Sequence, residues 1–551
     1  MQHAASPVPA ASPVYGIFWP RRPDARAALV GPTALSWRFP ADRPGGFADR
    51  AFSGCPPAWC DGIVISERAI ETESHQMNRV EVSAPTAQAT VRNPWRVFAL
   101  LVVVQFMVVL DGSIVVVALP SIQADLQLSP LGMTWVLDAY LLIYGGFLLI
   151  GGRAADLIGR RRLVFWGMGV FAVASLVCGL SVAGWQLIIG RVCQGFGAAL
   201  AAPAALALVT DIFTEGRQRN QALAIWGGVA GIGGATGVLL GGLLTTVAWQ
   251  WAFLINIPIG AMVLILGARM LPPGDARATG GIDVVGAFTG TAGLCLLVFA
   301  VVQGGSAGWT AASTLYSFGL AALLLVAFAL RQLTAAAPLV PRELFRQSNV
   351  MLGNTVNALV GGLLFGGFLI STLYLQQVRG YGPLAASLVI VLMNLAIIIG
   401  TQTTARALGR RGPTATLLGG LGLQAAGLIW WASSLGVGNL LLAMVLPSML
   451  WCAGLGMTIV SAYVLCTSGL TGPVAGAGSG LVSTTFAIGG AVGVAVLTTV
   501  AAHRTQAAPV SGTAALASGY SSALWAALLM ALVSGLLTLW LKLIWTAERA
   551  P

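Results

Sequence analysis

Charge is the property that this sequence has least of. Only 9% of its 551 residues are Asp, Glu, Lys or Arg, whereas soluble domains carry about 25% charged residues. Lysine occurs once, at Lys542. This scarcity excludes a soluble multidomain enzyme, because too few charged side chains remain to cover a folded surface. Hydrophobic residues make up 57% of the chain, and the mean hydropathy of +0.85 indicates a polytopic membrane protein.

Several functional motifs are absent as well. The sequence has no H-E-x-x-H zinc motif and no phosphate-binding P-loop, so an enzyme is not expected. The net charge of +11 does not indicate nucleic-acid binding, since the arginines are spread over short loops. No metal site is expected, because Cys55 and Cys60 have only His75 nearby. The other cysteines lie in apolar runs and are expected to act as small hydrophobes: Cys178, Cys193, Cys295, Cys452 and Cys466.

The N-terminal residues 1–95 differ in composition from the rest. The segment 1–76 is rich in Ala, Pro, Arg and Ser without periodicity, and it lacks the charged stretch and apolar core of a signal peptide. Such a segment buries too little apolar surface to fold alone, so we expect 1–95 to be a disordered cytoplasmic tail. Two interpretations of 1–76 stay open. The segment is either a translated extension, or the start codon is misassigned and translation begins at Met77.

Fourteen apolar runs are long enough to cross a bilayer, which takes about 20 residues per helix. They predict an all-α membrane protein with a six-helix bundle at 96–271, a two-helix insertion and linker at 272–346, and a second six-helix bundle at 347–551. The expected spans are 97–119, 134–152, 163–183, 186–210, 222–246, 251–271, 284–304, 313–333, 352–376, 385–404, 415–435, 439–466, 477–501 and 520–545.

The arginines alternate with these spans. If the N-terminus lies in the cytoplasm, the loops on that side hold most of the arginines, whereas the opposite loops hold only Arg379 and Arg504. Cytoplasmic loops carry an excess of Lys and Arg, so both termini are predicted on the cytoplasmic side of a cell membrane. We call the two sides the arginine-rich face and the arginine-poor face.

One acidic residue interrupts the first span. In LDGSIVVVALP, Asp111 is flanked by apolar residues, and a charged side chain at a helix centre costs about 2.5–3.5 kcal/mol. With a rise of about 1.5 Å per residue, Asp111, Asp138 and Arg191 are expected within about 12 Å of the arginine-poor face. A carboxylate that faces Arg191 would be less costly than an isolated one.

The loop after the second span reads GGRAADLIGRRRL, with the pattern G-x-x-A-D-x-x-G-R-R. Small residues allow two helices to approach closely, an aspartate stabilises a helix N-terminus, and arginines hold a loop at the inner membrane surface. The candidate gating residues are Gly152, Asp156, Gly159, Arg160 and Arg161. An ordinary positively charged loop is the alternative interpretation.

This loop resembles the signature loop of the major facilitator superfamily. LDGSIVVVALP (Leu110–Pro120) resembles the first-span motif of its fourteen-helix drug:proton antiporter branch, with Ser113 for threonine and Val116 for asparagine. Further similar segments are WVLDAYLL, RVCQGFGAA, WQWAFLINIPIG, PLVPRELFR and YLQQVRGYGP. The resemblance covers residues 95–545 and implies the major facilitator fold, in which two six-helix halves rock around a central site.

Glycines recur in the fifth span, GGVAGIGGATGVLLGG. Steps of three or four residues place most of them on one helical face, where a neighbouring backbone can pack closely. The candidate packing residues are Gly227, Gly231, Gly234, Gly237, Gly241 and Gly242.

The sequence departs from the family pattern at two positions. The antiporter motif has proline where this chain has Val238, which leaves a kink in the fifth span unsupported. The signature loop often has arginine where this chain has Leu157, so the usual ion pair to Asp211 cannot form from that position. We expect Arg160 or Arg161 to substitute.

Acidic residues are concentrated in the first half. After Asp283 the only acids are Glu343 in a loop and Glu548 in the tail, so the second six-helix half has no carboxylate within a span. Proton coupling is therefore expected to depend on Asp111, Asp138 and Arg191. A carboxylate between desolvation and a nearby arginine can change its protonation state. Three alternatives stay open: a backbone hydrogen bond for Asp111, interface water for Asp138, and a purely structural arginine.

The resemblance implies proton-driven export of amphipathic organic compounds, as in multidrug efflux and antibiotic resistance, with the proton motive force in place of a cofactor. A self-resistance exporter of one endogenous metabolite, an importer and a non-transporting receptor are the alternatives. Without carboxylates in the second half, we expect neutral, zwitterionic or anionic substrates rather than dications. We also expect a monomer, and the excess of Ala, Gly and Arg favours a bacterial source. The candidate substrate-lining residues are Asn354, Asn357, Gln376, Asn394, Gln402 and Tyr463.

Overall fold

A computed structural model describes residues 93–213, 217–272, 281, 283–335, 338–345, 347–436, 438–468, 470 and 472–548. The expected tail up to residue 92, with the alternative start at Met77, lies outside the described residues. Through the described part run 14 helices long and apolar enough to cross a membrane, which confirms the predicted number. They are α1 Pro94–Asp125, α2 Gly132–Ile158, α3 Arg160–Gly179, α4 Gly184–Ile212, α5 Arg217–Val247, α6 Trp251–Met270, α7 Val284–Gly305, α8 Ala312–Thr334, α9 Ser348–Val378, α10 Pro383–Thr404, α11 Arg406–Ser434, α12 Leu441–Thr467, α13 Ala477–Gln506 and α14 Thr513–Leu543.

Proline and glycine mark where several helices begin and turn. Pro94 and Pro383 occupy the first positions of α1 and α10, where the missing N–H would have no helical partner in any case. Gly159 (φ 108°) lies between α2 and α3, and Gly412 (φ 75°) breaks the helical path between α10 and the main part of α11. Residues with a side chain rarely adopt such angles, so glycine allows both turns.

Helix α1 extends beyond the apolar run from which it was predicted. The run ends near Leu119, whereas the helix continues to Asp125, because hydropathy locates the apolar segment and not the end of the hydrogen-bonded helix. At about 1.5 Å per residue, Asp111 lies about 21 Å from the end of α1 and about 26 Å from its start. Asp111 therefore lies near the middle of the helix, and its depth below the arginine-poor face stays a prediction.

Glycines bring helices together in both halves. Gly241 of α5 lies against α1, where an added side chain would meet the carbonyl oxygen of Ile114 at 2.8 Å. Gly493 of α13 lies against α9 in the same way, with Gly362 opposite. Such close backbone approach stabilises helix pairs in a membrane, where lipid tails are as apolar as the side chains.

Only part of the predicted glycine face of α5 is closely packed. The helix is continuous through Val238. A side chain added at Gly231 or Gly234 would make an ordinary contact with α10, at 3.7 and 3.6 Å. Nothing in the described part of the chain lies within 4 Å of one added at Gly227. The expectation is therefore wrong for Gly227, because the first turns of α5 are largely exposed.

The two halves meet along two helix pairs. Helix α2 packs on α13, where Gly145 faces Ala487, and α5 packs on α10, where Gly242 faces Ser387. The inserted helix α7 lies against both α2 and α13. It therefore occupies the seam between the halves, whereas α8 contacts mainly α7 and exposes many of its apolar side chains.

Hydrogen bonds join the halves near the arginine-poor face. The hydroxyls of Thr134 on α2 and Thr498 on α13 lie 3.4 Å apart. The side chain of Gln376 at the end of α9 donates to the carbonyl oxygen of Val117 on α1 at 3.0 Å. These contacts join α2 to α13 and α9 to α1 on this side of the molecule.

Candidate functional site

A buried ion pair joins α1 to α4 in the first half. Nη1 of Arg191 lies 2.5 Å from Oδ2 of Asp111. Both side chains are fully buried. The structure therefore brings these two sequence-predicted residues into direct contact. This is the arrangement expected from the free-energy cost of burying an isolated carboxylate.

Two amides complete the surroundings of the Asp111 carboxylate. Nε2 of Gln194 and Nδ2 of Asn256 both donate to Oδ1 of Asp111, at 3.1 and 2.9 Å. Both amide residues are fully buried. With the arginine, the carboxylate accepts three hydrogen bonds from α4 and α6, so its negative charge is well compensated.

Arg191 is held by α2 as well. Its Nε donates to the carbonyl oxygen of Val136 at 3.0 Å, and its guanidinium lies 4.2 Å from the centroid of the Tyr140 ring. The hydroxyl of Tyr140 in turn donates to the carbonyl oxygen of Val108 on α1. Nη2 of Arg191 has no hydrogen-bond partner among the described residues. The cation–π contact compensates part of the charge.

The network continues into α3. Gln194 donates to the hydroxyl of Ser175 at 2.8 Å. The thiol of Cys178 donates to Oε1 of Gln194, with 3.4 Å between sulfur and oxygen. The expectation that Cys178 is only a small hydrophobe is therefore wrong, because a polar acceptor lies within reach of its thiol. The Asp111 site thus ties together helices α1, α2, α3, α4 and α6.

Asp138 on α2 has the opposite surroundings. It is fully buried, and neither carboxyl oxygen has a hydrogen-bond partner in the described part of the chain. Thr134, one helical turn nearer the arginine-poor face, makes the contact to Thr498 that joins the halves. Burial rules out the alternative that Asp138 simply reaches interface water in this conformation.

Arg160 organises the loop between α2 and α3. It pairs with Asp156 at 2.9 Å and with Asp211 at 2.6 Å, and it donates to the carbonyl oxygen of Ala207. Of the two arginines expected to replace the missing partner of Asp211, the structure places Arg160 there. Arg161 instead donates to the carbonyl oxygen of Ala268 on α6.

The close helix contact next to this loop is made by a different glycine from the one expected. A side chain at Gly151 would collide with the backbone of Ala199 on α4, whereas the nearest atom to one at Gly152 is 3.9 Å away, on Pro203. Gly152 thus has room for a small side chain. The G-x-x-A-D pattern places its glycine one residue from the tightest point of the α2–α4 contact.

The substrate-lining candidates do not form one surface in this conformation. Asn354 and Asn357 are buried and bind Thr485 of α13, so they hold α9 against α13. Asn394 lies on α10 near Gly234. Among these six residues, Gln376 lines a cavity of about 430 Å³ near the arginine-poor face. Gln402 and Tyr463 are exposed elsewhere.

Sequence reasoning missed Gln194 and Asn256. Both carry a readable signal: Gln194 follows Arg191 by three residues and so shares its helical face, and Asn256 is a polar residue inside an apolar span. Their common partner could not be read from the sequence, because α1, α4 and α6 are distant in the chain.

One motif known from enzymes occurs in the chain without the strand that usually precedes it. The run Gly304–Gly308 has the spacing G-x-S-x-G, but it lies at the end of helix α7. A serine nucleophile of that motif requires a strand before the turn. No cluster of His, Cys, Asp or Glu suited to a metal ion occurs in the described part of the chain.

Comparison with known proteins gives consistent results. The family model of the Major Facilitator Superfamily matches residues 101–494. The chain is 39% identical over 425 residues to the cephamycin export protein CmcT of Amycolatopsis lactamdurans, covering 76% of this chain and 86% of that protein. It is 36% identical over 442 residues to the puromycin resistance protein pur8 of Streptomyces alboniger, covering 78% and 86%. A bacterial homolog of the human lysosomal transporter Spinster, solved in an inward-facing and unoccupied conformation, has the same fold, with a TM-score of 0.58 at 15% identity over 83% of this chain and 98% of that chain.

Proposed function

Since the chain belongs to the Major Facilitator Superfamily, we propose that it is a secondary active exporter that moves an antibiotic or a similar amphipathic compound out of the cell in exchange for protons. Relatives named for cephamycin export and puromycin resistance support the export of such compounds. The observation that carries the proton coupling is the buried Asp111–Arg191 pair, in an interior with almost no other charge.

The protein is a multi-pass membrane protein with 14 spans. Its orientation follows from the arginine bias: the arginine-rich face lies in the cytoplasm, together with both termini. In this orientation the hydrogen bonds between Thr134 and Thr498 and between Gln376 and Val117 close the outer side. The described conformation is therefore one in which the outer path is shut.

The two buried acids then have different roles. Asp138 has no hydrogen-bond donor among the described residues and is held as a neutral acid, because an unpaired buried carboxylate is far more costly than a neutral carboxyl group. It lies one turn below the Thr134–Thr498 contact, so opening of the outer side exposes it to water and allows proton exchange there. Asp111 is held as a carboxylate by Arg191, Gln194 and Asn256. A proton on Asp111 would weaken its attachment to α4 and α6 and so alter the packing of the first half.

Transport in everted membrane vesicles tests this function. Vesicles that contain the protein should accumulate substrate when their interior is made acidic, and nigericin, which collapses the pH gradient, should stop the uptake. A panel of matched neutral, zwitterionic, anionic and dicationic compounds checks substrate class, and we expect a preference against dications. Uptake that ignores the pH gradient would contradict proton coupling, and movement in the opposite direction would identify an importer.

A further inference from the structure

Three arginines surround a cavity at the arginine-rich face of the second half. The cavity has a volume of about 300 Å³ and is lined by Thr403, Ala407 and the arginines Arg406, Arg410 and Arg411. All three arginines are exposed, and none has a hydrogen bond or ion pair with any described residue. Like charges around one cavity repel one another, so an anion placed between them would be stabilised.

The corresponding loop of the first half can be identified from glycine contacts. Gly167 of α3 faces Gly197 of α4, where an added side chain would meet the opposite carbonyl oxygen at 2.6 Å. Gly420 of α11 faces Gly454 of α12 in the same manner, at 3.0 Å. The two glycine pairs give a residue-by-residue register between the halves.

In this register the two loops turn at equivalent glycines. Gly159 precedes Gly167 by the same number of residues as Gly412 precedes Gly420, and both have positive φ angles. The loops therefore share a backbone design and differ in their charged side chains.

Acidic residues are present in one loop and missing from the other. Arg160 of the first loop is neutralised by Asp156 and Asp211. The same register places Gly409 opposite Asp156 and Ser468 opposite Asp211. In this register Arg406 lies opposite Arg153, whereas Arg410 and Arg411 lie opposite Leu157 and Ile158. The second loop thus carries arginines at different positions and has neither of the two carboxylates that neutralise Arg160.

The surface next to the arginines is suited to an acyl chain. Exposed apolar side chains recur along α10 at steps of three or four residues, and the same steps lead on to Thr403, Arg406 and Arg410. The opposite sides of α10 contact α5 at Asn394 and α12 at Gly400, so this track faces away from the other helices. The apolar side chains of the track are Leu388, Leu392, Leu395 and Ile399.

We propose that this cavity binds the phosphate headgroup of an anionic phospholipid, with an acyl chain along the α10 track. Arginine suits the headgroup because its planar guanidinium binds phosphate oxygens in pairs. The arginines begin where the apolar part of α10 ends at Thr404, which is the depth of headgroups in the cytoplasmic leaflet. Basic residues just cytoplasmic of a span attract the anionic lipids of that leaflet.

Lipid binding to the purified full-length protein tests the proposal without any transport assay. Native mass spectrometry in detergent should detect bound phosphatidylglycerol on the wild type, and phosphatidylcholine should bind much more weakly. The variant with Arg406→Gln, Arg410→Gln and Arg411→Gln should lose about fivefold in phosphatidylglycerol affinity for each arginine removed.

A matched variant controls for the loss of charge. It removes three other arginines from the same face, by Arg162→Gln, Arg217→Gln and Arg269→Gln, and should retain phosphatidylglycerol. Equal affinity of the two triple variants would overturn the proposal, as would a wild type that binds both lipids equally. Inorganic phosphate is the last arm: if it displaces the lipid at millimolar concentration, the site takes a soluble anion and the acyl track is not part of it.

Discussion

The two six-helix halves share glycine contacts but are filled with different chemistry. In the register set by those contacts, Cys178 and Gln194 of the first half correspond to Trp431 and Trp451 of the second. Arg191 corresponds to Ser448. A buried hydrogen-bond network around a charge thus stands where the other half has two indole rings, with centroids 5.7 Å apart.

This difference separates the tasks of the two halves. In the proposed mechanism the centre of the first half changes its charge, and a change there would alter contacts among five helices. The equivalent position in the second half holds aromatic rings, with Phe368 tilted against Trp451 at 6.2 Å between ring centroids, and none of these rings changes its charge with a proton. The same glycine contacts between helices therefore accommodate an ionisable centre in the first half and an aromatic centre in the second.

The largest expected effect comes from Asp111→Asn, which removes the charge that distinguishes the first half. Proton-driven export should be abolished. Arg191 would also be left buried without its counter-charge, and breaking such a pair costs about 3–5 kcal/mol. Vesicle uptake and thermal unfolding in detergent measure the two effects.

A double variant separates coupling from stability. Asp111→Asn combined with Arg191→Gln removes both charges and should recover most of the lost stability, because no unpaired charge remains buried. Export should stay abolished. Restored pH-dependent export in the double variant would show that the pair serves structure alone and that the two halves do not differ in the proposed way.

Asp138→Asn should also stop proton-coupled export, but with little effect on folding. The side chain has no hydrogen bond in the described part of the chain to lose, so the free energy of unfolding should change by about 1 kcal/mol or less. The same vesicle and unfolding assays apply. Normal export would remove Asp138 from the coupling scheme, and strong destabilisation would reveal an ionised or partnered carboxylate.

Hydropathy alone predicted the architecture, since each span is a run of apolar residues within one segment of chain. It could not predict the contacts that define the halves. Asn256 binds Asp111 across a separation of 145 residues. The sequence around either residue does not indicate that the two are in contact. Trp431 and Trp451 look like ordinary span residues, because an apolar core and a lipid-facing side leave the same pattern in sequence. Arg406, Arg410 and Arg411 were assigned only to topology, since their lack of ion pairs with any described residue becomes visible only in the structure.

Glycine substitutions should sharpen the comparison of packing. Gly493→Ala should destabilise the protein more than Gly241→Ala. The Cβ added at Gly493 would lie closer to the backbone of Gly362 than the Cβ added at Gly241 would lie to the backbone of Ile114. Overpacking of this kind costs about 1–3 kcal/mol. Gly227→Ala is the matched control: it has open space and should gain about 0.5–1 kcal/mol from helix propensity. Thermal unfolding of the three variants orders them, and equal losses at Gly241 and Gly227 would mean that α5 does not pack on α1 as described.

The smallest effect is expected from Trp451→Phe in the second half. The indole N–H of Trp451 is buried without an acceptor among the described residues, and an unsatisfied polar group costs about 1–3 kcal/mol. Its removal should offset the loss of packing from the smaller ring, so the net change in the free energy of unfolding should stay below about 1 kcal/mol.

The equivalent change in the first half, Gln194→Leu, should destabilise strongly because Asp111 and Ser175 lose a donor. Unfolding of both variants under one set of conditions decides the matter: if Trp451→Phe is as harmful as Gln194→Leu, the indole has a hydrogen-bond partner and the second half is also built on a polar centre.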